Sequence, residues 1–262
     1  MGWLYPTMVH GVGVPLFKYV LRAKLTGADV VPAQGGVIIA SNHLAALDPL
    51  VIASLLGRPM VFPAKAELFQ GKGVKRLMAA WLRGMGQAPI DRSGGAASAD
   101  ALRHLDDTLR AGGVVGIFPE GTRSPDGRLY QGHTGVARLA LETGAPVIPV
   151  GLHRTPIERG VLGFPTMRHA RIRFGDPLDV SVWRDRRDDP AVLRRVTDEV
   201  MAAIQRLSGQ AYVDVYASRV KRGGLRGAEL EAYARPGPGV DAAPPSDASL
   251  HQAALPRPGE PS

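Results

Sequence analysis

The stretch "VIIASNHLAALDPLVIASLLG", residues 37–57, contains two mostly apolar runs, 37–40 and 50–56, that are joined by one short loop. Its first part, 37–40, is a short apolar run rich in β-branched residues, which is typical of a buried strand. Pro49 suits the first position of a helix, the apolar residues that follow can continue that helix, and Gly57 can end it. The stretch therefore predicts a strand, a polar loop and a helix in direct succession.

The same alternation of strand and helix continues along the chain to Gly209. Further apolar runs predict strands at 60–64, 88–90, 114–118, 147–150 and 170–174. Helical patterns occur at 49–56, 74–83, 99–110, 135–142 and 190–208. Strands that alternate with helices pair in parallel through right-handed crossovers. The predicted fold class is therefore α/β, a mostly parallel sheet covered by helices.

A histidine and an aspartate lie five residues apart in the first loop, as His43 and Asp48. A carboxylate that binds one imidazole nitrogen leaves the other nitrogen able to accept a proton, which is the minimal general base. Asp48 also precedes Pro49, so it has a second interpretation as a helix cap. The residues of this loop alone leave both interpretations open.

Polar clusters also follow the other predicted strands. The loop "FPEGTRSPDG" at 118–127 contains Gly121, which lets backbone N–H groups approach a ligand, and Arg123, whose guanidinium suits a phosphate. An exposed turn is the alternative, because "SPDG" favours a turn by itself. Arg92 and Lys65 follow two further strands, and taken singly they are compatible with solvated surface. Ligands of open parallel sheets bind beyond the carboxyl ends of the strands, where all these residues are expected.

Composition narrows the classes of protein that remain. The chain has 262 residues, 45% hydrophobic content, a formal net charge of +8 and no cysteine. The lack of cysteine excludes disulfides, thiolate metal sites and a thiol nucleophile. The positive charge suits nucleic acid, anionic lipid headgroups or a phosphorylated substrate. Only 6% of residues are aromatic, and they do not interleave with basic residues, which argues against nucleic acid.

The two ends of the chain differ from its middle. Residues 1–26 are apolar and aromatic, with Lys18, Arg22 and Lys24 placed after the apolar part, unlike a secretory signal. We expect this segment to lie as a helix in a membrane interface, and a helix packed on the protein's own core is the alternative. The Pro-rich end, 235–262, is expected to be disordered. The predicted division is 1–26, 27–234 and 235–262.

Four segments together resemble the glycerolipid acyltransferases, the PlsC-like family, and most closely their lysophosphatidate acyltransferase branch. They are "NHLAALD" at 42–48, "IDRSG" at 90–94, "FPEGTRS" at 118–124 and "APVIPVGL" at 145–152. The resemblance implies transfer of a fatty acyl group from acyl-CoA or acyl carrier protein to the sn-2 hydroxyl of 1-acyl-glycerol-3-phosphate, giving phosphatidate. Glycerol 3-phosphate, another lysophospholipid and a non-glycerol alcohol are alternative acceptors within the family.

The resemblance also implies roles for individual residues. It implies that His43 is the general base and that Asp48 orients it. The residues implied to bind substrate, chiefly the acceptor's phosphate, are Asn42, Lys65, Arg92, Glu120, Gly121, Thr122 and Arg123. No metal or cofactor is expected, because a thioester is already activated for direct transfer. A lipid acceptor implies a phospholipid surface as partner, no nucleic acid, and a peripheral or monotopic location on the cytoplasmic face of the cell membrane.

Overall fold

The computed structural model describes residues 7, 9–70, 73, 76, 79–80, 82–83, 87–90, 96–155, 158–159, 165–166 and 169–239. The strands of the described residues are short, at two to seven residues each. In chain order they are β1 (Lys24–Thr26), β2 (Val37–Ser41), β3 (Met60–Lys65), β4 (Gln87–Ile90), β5 (Val114–Ile117), β6 (Leu129–Tyr130), β7 (Val147–His153), β8 (Glu158–Arg159), β9 (Pro165–Thr166), β10 (Arg171–Phe174), β11 (Tyr212–Val213) and β12 (Ala234–Arg235).

Seven of these strands form the main sheet, in the order β1-β10-β7-β2-β5-β3-β4. Strands β2, β3, β4, β5 and β7 run parallel to one another, whereas β10 is antiparallel to β7 and carries β1 alongside it in parallel. The central strand β2 is buried along its whole length. The predicted mostly parallel sheet is confirmed, and its carboxyl edge is where β2, β3, β4, β5 and β7 all end.

Helices cover both faces of this sheet. They are α1 (Asp48–Leu56), α2 (Ala96–Arg110), α3 (Gly135–Thr143), α4 (Pro190–Ser208), α5 (Ala217–Lys221) and α6 (Gly227–Glu231). Neighbouring residues of β2 point to opposite faces, so Ile39 packs with α1 while Ile38 packs with α3 and α4. Two apolar layers thus enclose the sheet, as α/β folds require.

Most predicted elements agree with the structure to within a few residues. The predicted helix at 190–208 begins after Asp189, whose side chain accepts the Ala191 N–H, and ends at Gly209 in the left-handed conformation. Much of the predicted helix at 74–83 lies outside the described residues. Strands β1, β6, β8, β9, β11 and β12 were not predicted, because two or three residues show no periodicity.

The N-terminal segment packs on the core and also presents apolar side chains to solvent. Two π-helical turns, Val9–Gly13 and Pro15–Val20, bury Val9 and Phe17 against the layer that contains α1. Val12, Leu16, Tyr19 and Val20 are exposed on the same turns. No helix among the described residues is both long enough and apolar enough to cross a bilayer. Because β1 joins the main sheet, the end of the predicted segment belongs to the folded body.

The C-terminal part returns to the carboxyl edge of the sheet through a small second sheet. Its strand β11 lies between β12 and β6. Arg235 pairs with Tyr212, and the carbonyl of Pro236 accepts a hydrogen bond from Gln205 Nε2 at 3.0 Å. The fold therefore continues beyond the predicted boundary at residue 235. Residues 240–262 of the predicted disordered tail lie outside the described residues.

Candidate active site

The polar loops that follow β2 and β5 meet at the carboxyl edge of the sheet. The two strands are adjacent and parallel, so their ends lie side by side. His43 follows β2 by two residues, and the loop 119–124 follows β5. The backbone N–H of Ser124 donates to the carbonyl of His43 at 2.7 Å, which joins the two loops directly.

His43 and Asp48 form the pair that the sequence predicted. The His43 Nδ1 atom lies 2.9 Å from Asp48 Oδ2, and the same oxygen accepts the backbone N–H groups of Leu44 and Ala45 at 2.7 Å each. These donors precede α1, so the interpretation of Asp48 as a helix cap is wrong. An ionised carboxylate only accepts hydrogen bonds, so Nδ1 carries the proton and Nε2 is the nitrogen that can accept one.

Aromatic stacking holds the His43 ring in place. The ring lies 4.0 Å from that of Phe118, with 16° between their planes, and Phe118 in turn stacks on Phe62 at 5.5 Å. Gly116 makes room for this stack, because a Cβ atom there would overlap the Phe62 ring. The imidazole keeps 17% of its side-chain surface exposed, so a substrate can reach it. Phe118 was not predicted as a site residue, although it begins the "FPEGTRS" segment.

Glu120 lies beneath the two loops and is only 1% exposed. Its Oε2 accepts the backbone N–H of His43 at 2.9 Å, and its Oε1 accepts that of Tyr130 at 3.0 Å. Burial raises the pKa of Glu120 to about 8, against the lowering effect of these two N–H groups. Glu120 thus positions the His43 backbone, and its buried carboxyl is not placed to grip a phosphate as the resemblance implied.

The rest of the loop is open to solvent and electropositive. Gly121 has φ of 70°, a left-handed conformation that favours glycine, and it lies against the His133 ring. Arg123 is exposed and forms no ion pair with any residue that the structure describes. Thr122 Oγ1 accepts a hydrogen bond from Lys221 Nζ at 3.0 Å. Gly121, Thr122 and Arg123 are therefore brought together beside His43.

Lys221 was missed as a site residue. It lies at the end of α5, 99 positions after Thr122, in the stretch "AYVDVYASRVKRGG" at 211–224, whose last part is basic. The same segment contributes Tyr216, whose ring stacks on His133 at 4.3 Å. The basic end was the one available signal, and its contact with the loop depends on the pairing of β11 with β6.

Asn42 is fully buried, and its amide is used within the protein. Its Nδ2 donates to the carbonyl of Leu152 at 3.0 Å and to Gln210 Oε1 at 2.8 Å. Its Oδ1 accepts the Leu152 N–H at 2.7 Å. This placement makes Asn42 a brace between the ends of β2 and β7, and it does not direct the amide toward a substrate.

The two remaining predicted residues follow β3 and β4. Lys65 ends β3 and pairs with Ile90 at the end of β4, so both strands finish at the same edge as β2 and β5. Nothing is described of the Lys65 side chain. Arg92 lies outside the described residues. Their roles stay predictions.

Comparison with known proteins agrees with this geometry. Residues 22–153, which contain both loops, match the family model described as Acyltransferase. The chain belongs to this acyltransferase family. The resemblance found in the sequence is thereby confirmed at the level of the family, and the match ends before Gln210 and Lys221.

Several curated proteins and solved structures are similar to this acyltransferase. A 1-acyl-sn-glycerol-3-phosphate acyltransferase from Borreliella burgdorferi is 31% identical over 144 residues, covering 55% of this chain and 56% of that protein. The 1-acyl-sn-glycerol-3-phosphate acyltransferase alpha of Homo sapiens is 30% identical over 135 residues, with coverages of 51% and 46%. The chain thus spans about half the length of the curated relatives it matches. The crystal structure of the 1-acyl-sn-glycerophosphate (LPA) acyltransferase PlsC from Thermotoga maritima shares the fold, with a TM-score of 0.52, 24% identity and coverages of 73% and 78%.

Proposed function

We propose that this acyltransferase moves a fatty acyl group from acyl-CoA or acyl carrier protein to the sn-2 hydroxyl of 1-acyl-glycerol-3-phosphate, giving phosphatidate. The observation that carries the proposal is the His43–Asp48 pair beside the loop that holds Gly121 and Arg123. A base and a cationic loop at one sheet edge suit an acceptor that has a hydroxyl and a phosphate a few bonds apart. The names of the curated relatives support this choice of acceptor.

The chemistry follows from the protonation state of the imidazole. The acceptor hydroxyl oxygen attacks the thioester carbonyl carbon while its proton moves to His43 Nε2, and the ionised Asp48 stabilises the imidazolium that forms. The tetrahedral adduct then breaks its carbon–sulfur bond. The departing sulfur takes the proton back from Nε2, which leaves an ester, a free thiol and the enzyme in its starting state. No acyl-enzyme and no cofactor is needed in this proposed route.

Phosphate binding would turn the attack into a positioned reaction. Arg123 offers two parallel N–H groups to a phosphate, and Lys221 holds a second positive charge at Thr122. Fixing the acceptor in this way can supply several kcal/mol of the barrier, about 7–11 kcal/mol in the best intramolecular cases.

We also propose that the enzyme works on a phospholipid surface, at the cytoplasmic face of the cell membrane. The exposed apolar side chains of the N-terminal turns support membrane contact, because solvent-exposed clusters of this kind mark interaction surfaces. Lys18 and Arg22 lie on or directly after the same turns and suit anionic headgroups. A lipid acceptor would then reach His43 from the surface where it resides.

The test is an assay of the purified full chain with acyl-CoA and competing acceptors. We expect coenzyme A release with 1-acyl-glycerol-3-phosphate, a product of the mass of phosphatidate, and a 100- to 10,000-fold loss of rate in His43→Ala, as removal of a positioned base costs roughly that much. His104→Ala on α2 serves as the matched control and should keep the wild-type rate.

Three results would contradict the proposal. Preferred acylation of glycerol 3-phosphate, of another lysophospholipid or of a non-glycerol alcohol would replace the acceptor while keeping the reaction. Normal turnover of His43→Ala, with an unchanged circular dichroism spectrum, would remove the assigned base. Retention of the protein on DNA but not on lipid vesicles would favour the alternative of a nucleic-acid-binding protein.

A further inference from the structure

A second cationic pocket opens at the same edge of the sheet. It has a volume of about 390 Å³ and lies among the ends of β7, β10 and α4. Three arginines line it, Arg154, Arg171 and Arg173, together with Ser208 and with Leu44, the residue that follows His43. The pocket therefore adjoins the loop that holds the proposed base.

Two of the three arginines lie on β10, and the third directly follows β7. Arg171 and Arg173 flank the buried Ile172 on β10, so their side chains share one face of the sheet. Arg154 has φ of 53°, a left-handed conformation that is uncommon for an arginine. None of the three forms an ion pair with any residue in the described part of the chain, whereas Arg194 on the adjacent α4 binds Asp198 at 2.6 Å. Three unneutralised cations around one cavity favour an anionic ligand.

The position of the pocket separates it from the loop proposed for the acceptor. The loop follows β5 on one side of β2, whereas the pocket lies beyond β7 on the other side. Neighbouring strands are about 4.8 Å apart, so β10 lies roughly 10 Å from β2. Arg171 and Arg173 on β10 are therefore two strands away from β2, whereas the loop of Arg123 follows the strand next to it. The pocket therefore suits a substrate whose phosphate and reacting carbonyl are joined by a long, flexible chain.

We propose that this pocket binds the phosphate end of the pantetheine arm of the acyl donor. The inference rests on the proposed function, since it assumes a thioester donor. Coenzyme A and acyl carrier protein share the phosphate of phosphopantetheine, and coenzyme A adds two more phosphates. The arm would extend from the pocket past Leu44 and place the thioester at His43, while the acceptor arrives from the side of Arg123.

A membrane lipid headgroup is a less suitable occupant. Ile172 packs into the same apolar layer as Phe17 of the N-terminal turns, and Arg171 and Arg173 point away from that layer. These two arginines of the pocket therefore lie on the opposite face of the sheet from the exposed apolar turns. A soluble donor can reach this face while the enzyme rests on a membrane through the other.

The test compares donors with and without phosphate on the double variant Arg171→Gln/Arg173→Gln. Both side chains are exposed, so the fold should tolerate the change. We expect the KM for acyl-CoA to rise about tenfold, equivalent to ~1.4 kcal/mol. The KM for lysophosphatidate and for acyl-pantetheine, which has no phosphate, should stay unchanged. Arg187 is an exposed arginine near the N-terminal end of α4. Arg187→Gln removes one charge away from the pocket and should leave the KM values for acyl-CoA and lysophosphatidate unchanged.

Further donors identify which phosphate the pocket binds. A binding measurement then tests the pocket separately from the proposed function. Acyl-phosphopantetheine and acyl carrier protein should show the same rise if the shared phosphate is bound, and only acyl-CoA should show it if the nucleotide phosphates are bound. Equal effects on acyl-pantetheine, an unchanged KM for acyl-CoA, or a rise only for lysophosphatidate would each overturn the inference. Coenzyme A binding by calorimetry, expected to weaken about tenfold in the double variant, tests the pocket even if the wild type fails to acylate lysophosphatidate.

Discussion

Asp48 concentrates its hydrogen bonds on one of its two oxygens. Oδ2 accepts from His43 Nδ1 and from the backbone N–H groups of Leu44 and Ala45, whereas the buried Oδ1 has no hydrogen-bond partner among the described residues. Three donors that converge on one atom also determine how an amide would orient there. An asparagine would place its oxygen at the Oδ2 position and its NH₂ group at the Oδ1 position.

This asymmetry leads to a prediction for Asp48→Asn. The amide oxygen should keep the loop and the Nδ1–H tautomer of His43, while the negative charge that stabilises the imidazolium is lost. We therefore expect a clear fall in kcat that is smaller than that of His43→Ala, with little change in unfolding temperature. Steady-state rates and thermal unfolding check this. Loss of activity equal to that of His43→Ala in a folded Asp48→Asn variant would show that the charge, and not the tautomer, dominates.

The raised pKa of Glu120 leads to a prediction for how the free energy of unfolding depends on pH. Its pKa of about 8 in the folded chain exceeds the ordinary value of 4.5, so the folded state holds a proton that the unfolded state releases between these values. The stabilisation from neutral Glu120 is complete below the unfolded pKa and is lost as pH rises through the folded pKa. Glu120→Gln removes this titration but sacrifices one of the two N–H acceptors, at a cost of about 1–3 kcal/mol.

We therefore expect the free-energy difference between the wild type and Glu120→Gln to shrink as pH rises. Urea unfolding at about pH 5 and about pH 9 measures it, because the buried carboxyl is neutral in the first condition and mostly charged in the second. A difference that instead grew with pH would mean that the His43 and Tyr130 N–H groups hold Glu120 ionised. Its pKa would then lie below the ordinary value.

The segment between β5 and β6 contains two arginines in different settings. Arg123 is exposed and has no ion pair with a described residue, whereas Arg128 binds Asp126 at 2.7 Å and Glu231 at 2.7 Å. These acidic partners hold the pKa of Arg128 above its ordinary value. The first arginine is available for a ligand, and the second joins the loop to α6.

The two arginines therefore respond differently to the same substitution. Arg123→Lys keeps the charge but loses the two-pronged geometry, so we expect the KM for lysophosphatidate to rise by about tenfold while that for acyl-CoA changes little. Arg128→Lys should lower the unfolding temperature and leave both constants near their wild-type values. Equal effects of Arg123→Lys on both substrates would indicate that Arg123 supports the loop instead of binding phosphate.

Features that depend on neighbouring residues were predicted from the sequence, whereas roles that depend on contacts between distant parts of the chain were not. Strands such as β2 and β7 are long, apolar and buried, so their composition identifies them, and the motif at His43 and Asp48 is local enough to predict their pairing. The roles of Asn42 and Glu120 were not predictable, because each binds a backbone group far along the chain, Asn42 at Leu152 and Glu120 at His43. Sequence motifs describe which residues surround a site and carry no information about which of them point inward.

The N-terminal segment belongs partly to the core and partly to the surface. Val9 and Phe17 are 1% and 2% exposed, whereas Tyr19 and Val20 are 67% and 68% exposed. Deletion of 1–26 would remove β1 from the sheet and uncover the core. A loss of vesicle binding in such a variant could therefore come from a loss of folding. Substitutions confined to the exposed side test the membrane role alone.

Tyr19→Ser/Val20→Ser should weaken binding to anionic phospholipid vesicles while leaving the fold intact. Burial of each large apolar side chain in a lipid interface contributes roughly 1.5–3 kcal/mol, so the double variant should bind at least about tenfold more weakly. Co-sedimentation with vesicles measures this, and Val182→Ser is the matched control, because Val182 is 77% exposed but lies just before α4, far from the N-terminal turns. Acylation of vesicle-borne lysophosphatidate should fall with binding, and acylation of a soluble short-chain acceptor should not. Unchanged sedimentation of the double variant would show that these side chains do not enter the membrane, and the segment would then serve only to cover the core.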